Sequence, residues 1–397
     1  MYDGPVAFFK AEVLARISQK VCLSLSNREL FLFAIGNLKS AAQIHANFSE
    51  DIEYCQQGDW LKYILIHRPD KEVFDLTDFH AGTPFLQGIN DTLQYLTELF
   101  ASLLADSENI IIFKGDAINR GNGLVSAVML LFLLFLQEAL PGRFFYLIGN
   151  HELSWVYRNN ATGGISDVKR GLDQPQLLNY LRGELQLTDQ ELIAVSNKVL
   201  AALVNFVVGP NWVATHSSIP RDIDAPATYA NLYSSVWDRM VLDVSSGQYK
   251  INAAELADRA VRLVRTFFPI FDGPVYILRG HDPAVAAANP LVAHGGAVIV
   301  TTHTMMAEGT LFLLPTITMK TPEGVKLQIC LSTVGRFMKH RGLGEMSEQS
   351  NIFGLIQKFN QTSSNAEYYL ELFDKIGQAI TEALEAETQS PSEAMEL

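Results

Sequence analysis

The sequence predicts an α/β fold, on three observations. From about residue 61, short apolar runs recur: Tyr63-Ile-Leu-Ile, Glu72-Val-Phe-Asp-Leu, Ile110-Ile-Ile-Phe, Phe144-Phe-Tyr-Leu-Ile, Phe206-Val-Val, Trp212-Val-Ala-Thr, Val275-Tyr-Ile-Leu, Ala297-Val-Ile-Val and Leu327-Gln-Ile-Cys-Leu. Runs this short, rich in branched and aromatic residues, read as buried strands. Helical stretches alternate with them, the pattern of a parallel sheet. Each candidate metal-type residue sits at or just past the end of such a run, where open α/β sheets place their ligands.

Taken in order, residues 1–60 read as a mainly helical N-terminal extension, with Leu30, Leu32, Ile35, Leu38 and Ala42 recurring near helical spacing. Residues 61–340 form the expected main domain. Within it, Leu124 to Leu140 imitates a membrane span in length and apolarity. Glu138 and the following Pro141-Gly142-Arg143 weaken that reading, and the β-like runs on either side settle it as a buried crossover helix. A helical insert is expected over about 152–204, where Thr188-Asp-Gln-Glu starts a helix ahead of Leu192 to Leu203. A mixed segment, Pro220 to Phe271, follows. Both would overhang a site at the strand ends and so set substrate choice. Residues 341–397 supply an amphipathic helix from Asn365 to Ala386 and an acidic tail, because Gly377 to Leu397 carries glutamates and no Lys or Arg.

Composition narrows the class. A chain of 397 residues, 48% hydrophobic and 18% charged, can bury a large core. Its net charge of −13 argues against nonspecific nucleic-acid binding. Cys22, Cys55 and Cys330 are scattered and odd in number, without a CxxC pair, so neither a disulfide framework nor a thiolate zinc site is indicated. A reducing, cytoplasmic setting is expected, without signal peptide or transmembrane segment.

Six fragments carry chemistry: Asp78-Phe79-His80, Gly115-Asp116, Gly149-Asn150-His151-Glu152, His216, Arg239 and Gly280-His281. Carboxylate, amide and imidazole donors in this number suit two divalent ions, which need a bridging carboxylate and open positions for water and phosphate. Asp116 is the expected bridge, with Gly115 letting the backbone come close. Asp78 and His80 can converge on one ion only if the chain turns after Thr77. Asn150, His216 and His281 complete the second set. Two such ions about 4 Å apart lower the pKa of a shared water and supply the nucleophile for attack on phosphorus.

In this order, Asp78-Phe79-His80, Gly115-Asp116-Ala117-Ile118-Asn119-Arg120-Gly121, Gly149-Asn150-His151-Glu152, His216 and Gly280-His281 resemble the calcineurin-like metallophosphoesterase superfamily, and within it the phosphoprotein phosphatase branch. The resemblance implies a four-layer α-β-β-α sandwich with helical additions at both ends. It implies Asp78, His80 and Asp116 on one metal and Asp116, Asn150, His216 and His281 on the other. Manganese is the first choice, with iron and zinc suited to the same ligands. It further implies that Arg120 and Arg239, with Asn150, hold substrate phosphate, a task that guanidinium forks suit by geometry. His151 matches the residue that protonates the leaving oxygen.

Several positions depart from the family pattern. Thr77 and Ala81 flank the first motif where small or glycine residues are usual. Asn119 stands where the branch carries an aspartate that partners the histidine; a neutral amide orients His151 but does less to stabilise its protonated form. Ser217-Ser218 replaces Gly-Gly, and Thr301-Thr302-His303-Thr304 replaces the usual closing loop. The expected function is hydrolysis of phosphoserine and phosphothreonine in a phosphoprotein, with phosphotyrosine left open. A nucleotide or dinucleoside polyphosphate hydrolase is the enzymatic alternative, favoured if aromatics of Trp155 to Tyr157 and Tyr229 to Trp237 face the metals. A scaffold recruiting partners through the N-terminal helices and acidic tail is the other. The glutamate-rich end resembles bacterial effectors delivered into host cells by a type IV system, such as the Wip-type phosphatases.

Overall fold

Strands whose two faces are both apolar must be covered twice, and this requirement sets the layering. The computed structural model describes residues 5–46, 48–58, 61–68, 72–80, 86, 88–104, 109–119, 121–153, 176–220, 235–241, 250–282, 285, 291–302, 315–320, 324–329, 351–361 and parts of 371–382. Helices α1 (Pro5–Ser24), α2 (Arg28–Gly36) and α3 (Ala41–His45) precede strands β1 (Ile52–Gln57), β2 (Leu61–Ile66) and β3 (Val73–Leu76). Then come α4 (Ile89–Leu103), β4 (Ile110–Phe113), α5 (Gly123–Ala139), β5 (Phe144–Tyr146), α6 (Gln176–Gly183), α7 (Asp189–Ala202), β6 (Phe206–Gly209) and β7 (Trp212–Thr215). The remainder is β8 (Arg239–Val241), β9 (Lys250–Asn252), α8 (Ala253–Phe267), β10 (Val275–Arg279), β11 (Leu291–His294), β12 (Ala297–Thr301), β13 (Pro315–Lys320), β14 (Gly324–Ile329) and α9 (Asn351–Gln361).

The strands form a seven-stranded sheet, β1-β2-β6-β7-β10-β12-β11, and a five-stranded sheet, β14-β13-β3-β4-β5, with β8 and β9 pairing separately. Alternate residues of the first sheet divide between two apolar clusters. Ile64, Ile66, Val207, Trp212, Ala214, Leu278 and Val300 pack in the cluster that contains β3, β4 and β5. Their neighbours Tyr63, Leu65, Phe206, Val208, Val213, Ile277 and Ile299 pack with Leu256, Ala257, Ala260, Leu263 and Val264 of α8. The period of two in the strands and the i, i+4, i+7, i+8 spacing in α8 together make a helix-sheet-sheet-helix stack, with α4 and α5 on the far side. This is the four-layer sandwich.

The parallel registers bring strand ends level. Leu76 is opposite Phe113 and Phe113 opposite Tyr146 in one sheet; Ala214 is opposite Leu278 and Leu278 opposite Val300 in the other. The carboxyl ends of six strands therefore finish at the same edge of the stack.

Helix α5 makes the crossover between β4 and β5, and Val125 through Gln137 are all buried. A helix apolar all round needs neighbours all round, and α1, α4, α6 and β5 supply them. Among the described residues, no helix is long and apolar enough to cross a membrane. In the helical insert, the capping box predicted at Thr188 is present, with Thr188 and Glu191 satisfying each other's backbone N–H groups. Residues 52–57, grouped above with the helical extension, are strand: β1 pairs antiparallel with β2 from Ile52↔Ile66 to Gln57↔Leu61, so its backbone belongs to the main sheet. Most of the expected helix from Asn365 to Ala386, and the acidic tail, lie outside the described residues, as does 154–175 of the insert.

Candidate metal centre

Strand ends converge here at the cost of backbone strain. Asp78 (φ 55°), His80 (φ 48°), Asp116 (φ 59°), Asn119 (φ 67°) and His281 (φ 69°) are left-handed. Among the described residues the one other non-glycine with positive φ is Gln186. Each such residue costs roughly 1–2 kcal/mol, and asparagine, aspartate and histidine bear it best. The turn after Thr77 that the sequence reading required is therefore present. Close approach does the rest. A Cβ on Gly115 would lie 2.4 Å from the Gly149 nitrogen, and one on Gly280 would lie 2.3 Å from Thr77 Oγ1. Side chains at either place would push the strand ends apart.

A buried carboxylate organises the turn that carries Asp116. Glu152 Oε2 accepts from the backbone N–H of Asp116 at 2.8 Å and of Gly149 at 3.1 Å. Its Oε1 accepts from the Ala117 N–H at 2.8 Å and the Tyr146 hydroxyl at 2.9 Å. Burial raises its pKa while these donors pull it down. Glu152, in sequence only the last residue of the Gly149-Asn150-His151-Glu152 motif, fixes the backbone around Asp116.

The side chains then meet. His216 Nε2 lies 3.4 Å from Asp116 Oδ2, and His80 Nε2 lies 3.7 Å from the same oxygen and 3.6 Å from Asp78 Oδ1. His216 Nε2 is also 3.0 Å from Asn150 Oδ1 and 3.3 Å from His281 Nδ1. Ligands held about 2.0–2.2 Å from one ion stand roughly 3 Å or a little more from each other, so these separations suit atoms that share cations. His80, Asp116 and His151 form one group of donor atoms within 4.8 Å of one another; Asp116, His216 and His281 form a second, and Asp116 belongs to both.

The donors are in the right state for metal. His216 Nδ1 is 2.7 Å from the Lys114 carbonyl oxygen, which makes Nδ1 the protonated nitrogen and turns Nε2 towards Asp116 as an acceptor. His281 Nε2 is buried with no hydrogen-bond partner, an expensive arrangement for a nitrogen unless something binds there. Desolvation lowers the His216 pKa to about 4 and takes His281 well below its usual value. A lowered pKa means a proton is held only at acid pH, so both imidazoles stay neutral, as ligation requires. In the metal-free protein their ring resonances are expected to hold neutral-form shifts from about pH 8 down to about pH 5. A titration midpoint near pH 6.5 would contradict this environment.

Asp78, His80, Asp116, Asn150, His216 and His281 thus come together, with His151 beside them: its ring centroid is 4.7 Å from that of His80, and its Nδ1 is 3.3 Å from Asn119 Nδ2. Arg239 lies close by. Its side chain is 47% exposed and is tethered through Nη1 to Asp282 Oδ1 at 3.2 Å and to the His281 carbonyl oxygen at 3.3 Å. Arg120 lies outside the described residues. Ser217 and Ser218, the departure from Gly-Gly, donate to the Asp238 carbonyl oxygen and, at 2.8 Å, to Asp238 Oδ2. They tie down the segment that carries Arg239. Thr77 donates to Asp78 Oδ2 at 2.5 Å, a bond that glycine could not make. Asp282, which the sequence reading passed over, also accepts from Arg279 and the Met240 N–H.

A protein-family comparison matches residues 76–285 to the calcineurin-like phosphoesterases. The chain belongs to that family, and is accordingly a metal-dependent phosphoesterase of a class that works with a dimetal centre. No curated protein matches the sequence significantly. Among solved structures, it is similar to a protein serine/threonine phosphatase from Saccharomyces cerevisiae with similarity to human phosphatase PP5, at 13% identity, TM-score 0.46, covering 81% of this chain and 89% of that one. A cold-active protein-tyrosine phosphatase of a psychrophilic Shewanella is similar at 16% identity, TM-score 0.38, covering 72% and 97%. A metallophosphoesterase from Sphaerobacter thermophilus is similar at 17% identity, TM-score 0.33, covering 69% and 94%.

Proposed function

We propose that this phosphoesterase is a phosphoprotein phosphatase of the serine/threonine type, with phosphotyrosine within its range. The observation that carries the reading is the meeting of Asp78, His80, Asp116, Asn150, His216 and His281 from the ends of both sheets around one shared carboxylate. Asp78, His80 and Asp116 would hold one divalent ion, and Asp116, Asn150, His216 and His281 the other, with manganese the first choice. When bound, the ion pair supplies Lewis-acid polarisation of phosphate and water. The protein's own groups do the remainder. Arg239, fixed at one nitrogen by Asp282, keeps its other N–H groups for phosphate oxygens, with Arg120 as its partner. His151 gives a proton to the departing serine or threonine oxygen, and Asn119 holds its ring in place. Glu152 and the left-handed turns keep these groups from relaxing apart.

The catalytic domain runs from the first strands to about 340 in this proposal, behind a helical N-terminal extension that buries α5. The glutamate-rich end supports delivery into a host cytosol, and deletion of the tail should then abolish translocation. The nucleotide-hydrolase reading needs open aromatic faces at the site. Of the aromatics named for it, Trp155, Tyr157, Tyr229 and Tyr233 lie outside the described residues; Trp237 is buried and its ring stands perpendicular to that of His281 with centroids 5.9 Å apart, which leaves it unsuited to stacking a base. The test is phosphate release from phosphoserine, phosphothreonine and phosphotyrosine peptides and from nucleotides, with and without Mn²⁺. Metal-dependent turnover of the peptides is the expected result. Preference for nucleotides would replace this function with the alternative.

A further inference from the structure

Lysine and aspartate have no ordinary place in the middle of this core. Lys114 follows the wholly apolar Ile110–Phe113, and Asp75 interrupts Val73–Leu76, yet both are fully buried. Lys114 Nζ donates to Asp75 Oδ2 at 2.7 Å and to Thr302 Oγ1 at 3.0 Å; the Thr302 hydroxyl donates onward to Asp75 Oδ2 at 3.2 Å. Asp75 lies in β3 and Lys114 directly follows β4, both strands of the five-stranded sheet, and Thr302 directly follows β12 of the seven-stranded sheet. The triad therefore crosses from one sheet to the other.

We propose that Asp75, Lys114 and Thr302 are positioning residues: a polar bolt that sets how the two sheets register, and so the spacing between the two halves of the metal centre. This rests on the metal reading given above. Asp75 is three residues before Asp78 and Lys114 two before Asp116. The Lys114 carbonyl oxygen is the one that holds His216 Nδ1. The Thr302 N–H donates to the Arg279 carbonyl oxygen at 2.9 Å, two residues before His281. Each member of the bolt is thus linked, within three residues or through one backbone hydrogen bond, to a segment that carries a donor of the site. Aliphatic packing between sheets is non-directional and tolerates small sliding, whereas metal donors must be placed to within about 0.2 Å. A buried ion pair adds little to stability against well-packed apolar residues, but its geometry specifies one arrangement.

The experiment separates position from stability. Thr302→Val removes the cross-sheet hydroxyl at constant shape, Asp75→Leu/Lys114→Met replaces both charges together, and Thr302→Ser restores the hydroxyl. Thermal unfolding, Mn²⁺ affinity by calorimetry, and kcat and KM on a phosphopeptide are measured for each. Both disruptive variants are expected to unfold within a few degrees of the native chain while Mn²⁺ affinity and kcat fall on the order of 10- to 100-fold, with Thr302→Ser close to native. Native Mn²⁺ affinity and kcat in Thr302→Val and in the double variant would overturn the proposal, whatever their stability. If Thr302→Val alone folds, its result decides. A native chain that takes up no Mn²⁺ at all would overturn the metal reading, and the bolt's function with it.

Discussion

Asp116→Asn is expected to leave the chain folded and to lower metal-dependent phosphate release by on the order of 10³-fold or more. One oxygen of Asp116 faces both histidine sets, 3.4 Å from His216 Nε2 and 3.7 Å from His80 Nε2, and the other accepts the His151 N–H at 2.9 Å. Asparagine keeps an acceptor for that N–H and has nearly the same volume, so the turn should survive. What it removes is the negative charge that both donor sets share, without which two dications face each other unscreened. Phosphate release at saturating Mn²⁺, measured beside thermal unfolding, checks the claim. Turnover within a few-fold of native would show that Asp116 bridges nothing.

Glu152→Leu is expected to damage the fold itself. The change orphans four buried donors: the N–H groups of Asp116, Ala117 and Gly149 and the Tyr146 hydroxyl. At about 1–3 kcal/mol for each unsatisfied group, the loss is roughly 4 kcal/mol or more, against a typical total of about 5–15 kcal/mol. For a chain of this size that lowers the thermal midpoint by about 5 °C or more. Glu152→Gln retains one acceptor oxygen and should fall between the two. Differential scanning calorimetry of the three proteins orders them, and a Glu152→Leu midpoint equal to native would mean the cage does not hold the turn.

Much of this was legible in the sequence because it depended on local pattern. The apolar runs gave nine of the twelve strands in the two sheets, without β1, β11 and β13, and the position of Asp78, Asp116, Asn150, His216 and His281 after those runs gave the edge where the site lies. The burial of α5 could be argued from the runs on either side of it. What could not be read was anything decided by contacts between distant segments. Residues 52–57 carry Glu, Tyr, Cys and Gln and show no apolar run; they are strand because β2 lies beside them with a free edge. Glu152 looked like a motif residue without duties, since two of its four partners, the Asp116 and Ala117 N–H groups, come from a turn some 35 residues away. Asp75 lay unremarked inside an apolar run and Lys114 just after another, and the hydrogen bond between them forms only once β3 and β4 pair. Ser217 and Ser218 looked like a defect in a glycine pair until Asp238 was seen to receive both hydroxyls.

Two divalent ions are expected to sit where Asp116 is shared by two donor sets. Crystals soaked in Mn²⁺ and measured at the manganese absorption edge test this directly. Two anomalous peaks are expected flanking Asp116, one towards Asp78 and His80 and the other towards Asn150, His216 and His281. An absence of peaks beside Asp116, or manganese found solely at surface carboxylates elsewhere, would contradict a dimetal centre at Asp116.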